Sequence, residues 1–312
     1  IDNSNTSTPL IHGDFDTDKV TINGDMTVTG NVIASGFGLN SLTSLTTGSG
    51  NTALGTSSLT STNTGINNSV VGYESGYSNT SGSYNTTNGY QSLRSSTTAS
   101  YNTAMGFKSQ YSTTSGEYNA SFGYNSMLNN TTGGNNTAIG AEAMKFNTTG
   151  SNNTALGQSS LNANTTGAKN VAVGTTSLAL NTTGYQNTAV GYNSMQTNTT
   201  GYQNTAIGET SLYLNTTGAG NVTIGYSAGY SNVSGSKNIF IGNHAGYSET
   251  GSNKLYIDNS NTSTPLIHGD FDTDKVTVNG DMTVTGALKA NTFTDSDGNP
   301  LMAKNLQTGE VI

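Results

Sequence analysis

Apolar and polar positions along the chain recur with a period of 17. Glycine stands at 55, 72, 89, 106, 123, 140, 157, 174, 191, 208, 225 and 242, and an asparagine precedes each by four residues, from Asn51 to Asn238. A fixed period of this length marks a solenoid, in which one coil cannot bury its apolar residues until a neighbour covers them. The three residues between Asn and Gly, such as Thr188-Ala189-Val190, alternate in the period-2 manner of a short strand. The alternation predicts that the first and third residues, Thr or Val with an aliphatic, face a thin interior. The middle position, most often Ala, then forms a small, flat outer face.

A second apolar position follows four residues after the Gly, as in Leu161, Leu178, Met195 and Leu212, usually after a Ser, and reads as a second short strand. The rest of each coil is polar, with six successive Asn-Thr-Thr-Gly stretches starting at Asn130, Asn147, Asn164, Asn181, Asn198 and Asn215 that read as turns. The predicted fold is all-β, a parallel β-roll or β-solenoid of twelve coils over residues 48–256, closing on an imperfect coil at Leu255-Tyr256-Ile257. Asn136, Asn153, Asn170, Asn187 and Asn204 are candidate rungs of a side-chain amide ladder, with Gly140, Gly157, Gly174, Gly191 and Gly208 at the bends. Ala138, Ala155, Ala172, Ala189 and Ala206 are the expected face on which identical chains pack as a homotrimer.

Residues 1–30 recur at 257–286 with one difference, Ile22 against Val278. The duplication predicts two β stem or junction modules, 1–47 and 257–312, expected to intertwine, and a chain that is one period of a longer fibre. Within the repeat, Lys19 to Gly30 alternates apolar and polar around Asn23-Gly24, a hairpin or strand-corner signal. Asp295 to Pro300 has turn composition.

Composition agrees with order by repetition. Leu, Ile, Val and Phe number only 54 of 312, too few for an ordinary compact core, while charged residues at 9% and a net charge of -8 do not hold the chain open. No cysteine is present for disulfides or thiolate chemistry. The ten Lys and Arg are scattered, which argues against nucleic acid, and no apolar run has the length of a membrane span.

Candidate chemistry is sparse. Asp14, Asp16, Asp18 and Asp25, repeated at Asp270, Asp272, Asp274 and Asp281, have calcium-loop spacing but place Lys19 where that loop needs Gly, so they read as solvated stem acids. Histidines 12, 244 and 268 form no metal or nucleophile–base pattern, and no cofactor or metal site is expected. Glu74 and Glu142 share a coil position but lie four coils apart, about 19 Å, too far for a glycosidase pair within one chain. Aromatic columns recur at Tyr84, Tyr101 and Tyr118, at Tyr213, Tyr230 and Tyr247, at Tyr185 and Tyr202, and at Tyr73, Tyr90, Phe107 and Tyr124. Stacked rings pack coil on coil, and exposed ones are also what sugar rings lie on. The Thr column at 131, 148, 165, 182, 199 and 216 forms a hydroxyl lattice that admits an ice-binding alternative.

The Asn-Thr-Ala-Val-Gly unit at Asn187 to Gly191 resembles the repeat of trimeric autotransporter adhesin heads, and residues 255–286 resemble segments of phage tail fibres. The resemblance implies a left-handed parallel β-roll in a homotrimeric fibre, extracellular, on a virion tail or a bacterial surface appendage. It further implies a non-enzymatic structural and adhesive role that presents a binding surface to a host-cell receptor or surface glycan. A polysaccharide-degrading tailspike is the enzymatic alternative. The 17-residue coil is longer than is usual for adhesin heads.

Overall fold

A computed structural model describes residues 11–14, 19–22, 47–61, 64–287, 292 and 294, and every regular element among them is a β-strand. The chain divides into two units, Ile1–Lys169 and Asn170–Ile312. In the first, β1 (Ile11–Asp14) and β2 (Lys19–Ile22) form an antiparallel hairpin. Seven three-residue strands then pair in parallel, one per coil: β3 (Thr52–Leu54), β4 (Ser69–Val71), β5 (Thr86–Asn88), β6 (Thr103–Met105), β7 (Ala120–Phe122), β8 (Thr137–Ile139) and β9 (Thr154–Leu156).

The second unit has five such strands, β10 (Val171–Val173), β11 (Thr188–Val190), β12 (Thr205–Ile207), β13 (Val222–Ile224) and β14 (Ile239–Ile241). Together the two units hold twelve parallel coils of 17 residues. β15 (Lys254–Ile257) adds one more parallel strand with a register of 16, Ile239 opposite Leu255, and β16 (Ile267–Asp270) and β17 (Lys275–Val278) follow antiparallel.

The duplicated sequence pairs identically in its two copies: Ile11 faces Ile22 as Ile267 faces Val278, and Asp14 faces Lys19 as Asp270 faces Lys275. In the second copy the hairpin lies ahead of the Asn-Gly pair, at which the sequence allows a hairpin or a strand corner. In the second copy Asn279-Gly280 follows β17, and the turn lies at Phe271 to Asp274, where Asp270 Oδ1 accepts the Asp272 N–H at 3.0 Å and Asp274 takes φ +53°. An aspartate that bonds the backbone two residues on favours this four-residue turn. The expected turn at Asp295 to Pro300 lies outside the described residues.

The strand face is the reverse of the expected one. In every solenoid strand the middle residue is buried and its flanking residues are partly or fully exposed. Ala138, Ala155, Ala172, Ala189 and Ala206 are fully buried inside their coils and cannot be the face on which copies pack. The reason is volume. The Leu or Met four residues after the Gly already fills the thin interior, so the facing strand position has room only for a small side chain, and the large aliphatics point outward.

The expected second strand is also absent among the described residues. The residues two and four after each Gly lie in the left-handed region, as at Asn193 (φ +55°) and Met195 (φ +49°), which a β-strand does not admit. The segment is a series of tight turns. Met195 N–H donates to Ser211 O of the following coil at 3.0 Å, and Asn193 N–H to Thr175 O of the preceding one at 3.1 Å. Left-handed φ costs a Leu or Met about 1–2 kcal/mol, which is offset by complete burial of the side chain at about 1.5–3 kcal/mol and by these bonds. The Gly that opens the segment is required twice over. Gly191 has φ +136°, and a Cβ there would lie 2.5 Å from Gly208 O.

Candidate functional site

Polar side chains carry much of the interior. Within the second unit, Asn204 Oδ1 accepts both the backbone N–H and the side-chain amide of Asn221, at 2.9 and 3.0 Å, while Asn204 Nδ2 donates to Gly218 O at 2.8 Å. Earlier in the same unit, Asn187 N–H and Nδ2 both donate to Asn170 Oδ1, and Asn187 Nδ2 also donates to Gly201 O. In the first unit Asn153 N–H and Nδ2 donate to Asn136 Oδ1, at 2.9 and 3.2 Å. All these Asn are at most 1% exposed. Each amide thus satisfies a backbone donor that the short strand leaves over. The Ser before the Leu or Met is likewise buried, Ser194 Oγ donating to Ala206 O at 3.0 Å.

A second buried ladder runs through the Asn of Asn-Thr-Thr-Gly. Asn147 Nδ2 donates to Asn130 Oδ1 at 2.8 Å in the first unit, and Asn215 Nδ2 to Asn198 Oδ1 at 2.7 Å in the second. These stretches are turns, as expected from the sequence, and they also carry a ladder that was not expected. The signal was available: a solvated turn accepts Asp, Ser or Gly, and a column held to Asn implies a group that must donate and accept at once. Thr131 and Thr199 hydroxyls donate to the carbonyls of Thr148 and Thr216, at 2.9 and 3.0 Å, so these donors of the Thr lattice are spent on the next coil.

What points outward is apolar or aromatic. In the first unit the outer strand residues include Phe122, Ile139 and Leu156, and in the second Val171, Ile207, Ile224 and Ile241, each about two-fifths exposed. Rings at constant coil positions stack. Tyr84, Tyr101 and Tyr118 lie 5.0 and 4.8 Å apart and within 7° of parallel, and Tyr73, Tyr90, Phe107 and Tyr124 form a second stack at 5.2–5.3 Å. In the second unit Tyr185 stacks on Tyr202 at 5.0 Å, and Tyr213, Tyr230 and Tyr247 at 5.0 and 4.9 Å. Burial against its neighbours raises the Tyr230 phenol above its ordinary pKa.

Beside the second stack of the first unit lies a polar flank. Glu74 Oε2 accepts from Arg94 Nε at 2.7 Å and from Gln91 Nε2 at 2.8 Å, and the Arg94 bond holds the Glu74 carboxyl below its ordinary range. That is the opposite of the raised pKa a general acid needs. Arg94 sits over Tyr77 at 5.0 Å and near Tyr111 at 5.8 Å, and the Lys108 ammonium lies 5.4 Å from both Phe107 and Tyr111. Phe107, Tyr111 and Tyr124 line a groove of about 430 Å³ together with Lys108, Asn125 and Asn129.

Two stem acids of the second copy, Asp270 and Asp272, are engaged. Lys254 Nζ pairs with Asp270 at 2.8 Å, which lowers the Asp270 pKa, and Asn253 Nδ2 donates to Asp272 Oδ1 at 2.8 Å. His244 packs edge-on against Tyr226 and His268 against Tyr256. Tyr256 OH donates to Glu249 at 2.8 Å, and burial, then this bond, raises its pKa. No helix among the described residues is long and apolar enough to cross a membrane. No family model, curated protein or solved structure matches the chain.

Proposed function

We propose that the chain is a structural and adhesive segment of an extracellular fibre that assembles as a homotrimer and presents a host-cell or surface-glycan binding surface. The observation that carries this reading is the outward set of stacked aromatic rings and aliphatic columns, repeated at coil spacing in each unit. Exposed apolar columns of this regularity are surfaces made to be covered. Identical columns on identical chains repeat their contacts by rotation about one axis. Ile139 and Leu156 in the first unit, and Ile207, Ile224 and Ile241 in the second, are the residues proposed for packing between copies. The tyrosine ladders supply rigid faces on which pyranose rings stack.

The test is a light-scattering mass of the purified chain together with its retention on a panel of cells and immobilised glycans. Three chain masses and saturable retention are expected. A monomeric mass would overturn the trimer, and absence of retention on every surface would overturn the adhesive role.

A further inference from the structure

We propose that the groove of the first unit between the Tyr90–Phe107–Tyr124 stack and Tyr111 binds an acidic polysaccharide, a chain of pyranose rings bearing carboxylates. The inference rests on the adhesive reading and gives it a place and a ligand class.

Three independent features converge there. First, the aromatic stack ends at Tyr124. The same position in the following coil is Ala141, so one face of the Tyr124 ring has no aromatic neighbour, and the residue is 53% exposed. The C–H face of a pyranose continues such a stack. The groove volume of about 430 Å³ falls in the range of roughly 300–1,000 Å³ found for small-ligand sites.

Second, Asn125 lines the groove, is only 8% exposed, and its Oδ1 has no hydrogen-bond donor. Its backbone is fixed, since its N–H donates to Phe107 O at 2.9 Å. The corresponding coil position in the second unit shows what is missing: there Asn193 Oδ1 accepts the hydroxyl of Thr176 from the coil before. In front of Asn125 that coil position is Lys108, which gives the oxygen no donor. The oxygen is itself buried, so a turn of the Asn125 side chain toward the groove it lines is what brings it to a sugar hydroxyl or acetamido N–H.

Third, Lys108 makes no ion pair among the described residues, whereas Arg94, one coil earlier, is paired with Glu74. The chain carries a net charge of -8, so a lone cation at an aromatic groove is a local exception. A uronate-type carboxylate is its counter-charge.

The probe is an alginate hexasaccharide, a pure polyuronate, titrated calorimetrically into the intact chain beside the neutral maltohexaose. The alginate oligomer is expected to bind at least about tenfold more tightly than the neutral one. Lys108→Gln removes that preference, Tyr124→Ala weakens alginate binding by about tenfold, and Tyr124→Phe retains it. Tyr202→Ala, in the other unit, leaves it unchanged. Unchanged circular dichroism confirms that each variant is folded. Failure of alginate to bind, or equal binding by Tyr124→Ala, overturns the groove. If the intact chain and the Tyr124→Ala/Lys108→Gln variant are retained equally on cells, the groove falls and the adhesive reading stands. Retention of neither on any surface overturns both.

Discussion

Two stretches of the second unit fill the same interior in opposite ways. In the coils of Ala189 and Ala206 the strand supplies the small residue and the turn supplies the large one, Met195 and Leu212. In the coil of Phe240 the strand supplies the large residue and the turn is Gly246, while Gly229 in the coil before is also emptied. A Cβ on Gly246 would lie 2.6 Å from Phe240 Cδ1, and one on Gly229 2.7 Å from Cδ2. In the first unit Val70 and Gly76 make the same exchange in milder form. Volume per layer is therefore what the coil holds constant, and either wall can provide it. It also fixes the direction of the strand, since only an inward position could compensate an inward glycine.

The layer most sensitive to lost volume is that of Phe240. Phe240→Ala removes the large residue from a layer whose turn residues are both glycine and should cost about 3–5 kcal/mol, read as a fall in the midpoint of chemical unfolding. Adding Gly246→Leu to that variant should recover part of the loss, because native Leu residues at the equivalent position already adopt φ near +50°. A double variant no more stable than Phe240→Ala would contradict conserved layer volume. Asn204→Ala strands the Asn221 N–H and should cost about 1–3 kcal/mol by the same measurement. By contrast Thr183→Glu, at an exposed turn, should change stability by no more than about 0.5 kcal/mol.

The smallest effect concerns pH. Because Arg94 lowers the Glu74 pKa in the folded chain, the stabilisation from that pair is present above the ordinary carboxylate range and is lost as pH falls through the lowered value. The melting temperature should drop below about pH 4, and Arg94→Gln should make that drop shallower. Equal acid sensitivity in the two proteins would count against the pair.

The repeat and the parallel stacking were legible because they depend only on period and turn chemistry. The facing was not. A three-residue strand offers one alternation, and Thr-Ala-Val satisfies either phase. Hydrophobicity favoured the aliphatics as core, whereas steric room decided for Ala. Phe240, Gly229 and Gly246 held the missing information, which shows only when each layer is taken as a volume. The left-handed turns were hidden because Leu and Met rarely adopt positive φ, although Gly at the same position in three coils pointed to it. The Tyr columns were visible as periodicity, while the groove beside Tyr124 depends on an unpaired Asn125 oxygen that no sequence pattern displays.

The orientation of the strand is tested most directly by placing the same charge at two adjacent residues, Ala206→Glu and Ile207→Glu, and following thermal unfolding by circular dichroism with light scattering on the same samples. Ala206 is fully buried and Ile207 is 40% exposed. Ala206→Glu should lose several kcal/mol of stability and unfold its coils, because an unpaired carboxylate enters an apolar layer. Ile207→Glu should keep the dichroism and melting of a folded chain while its mass falls from three chains toward one. The opposite pairing, a folded Ala206→Glu chain beside an unfolded Ile207→Glu chain, would contradict the account.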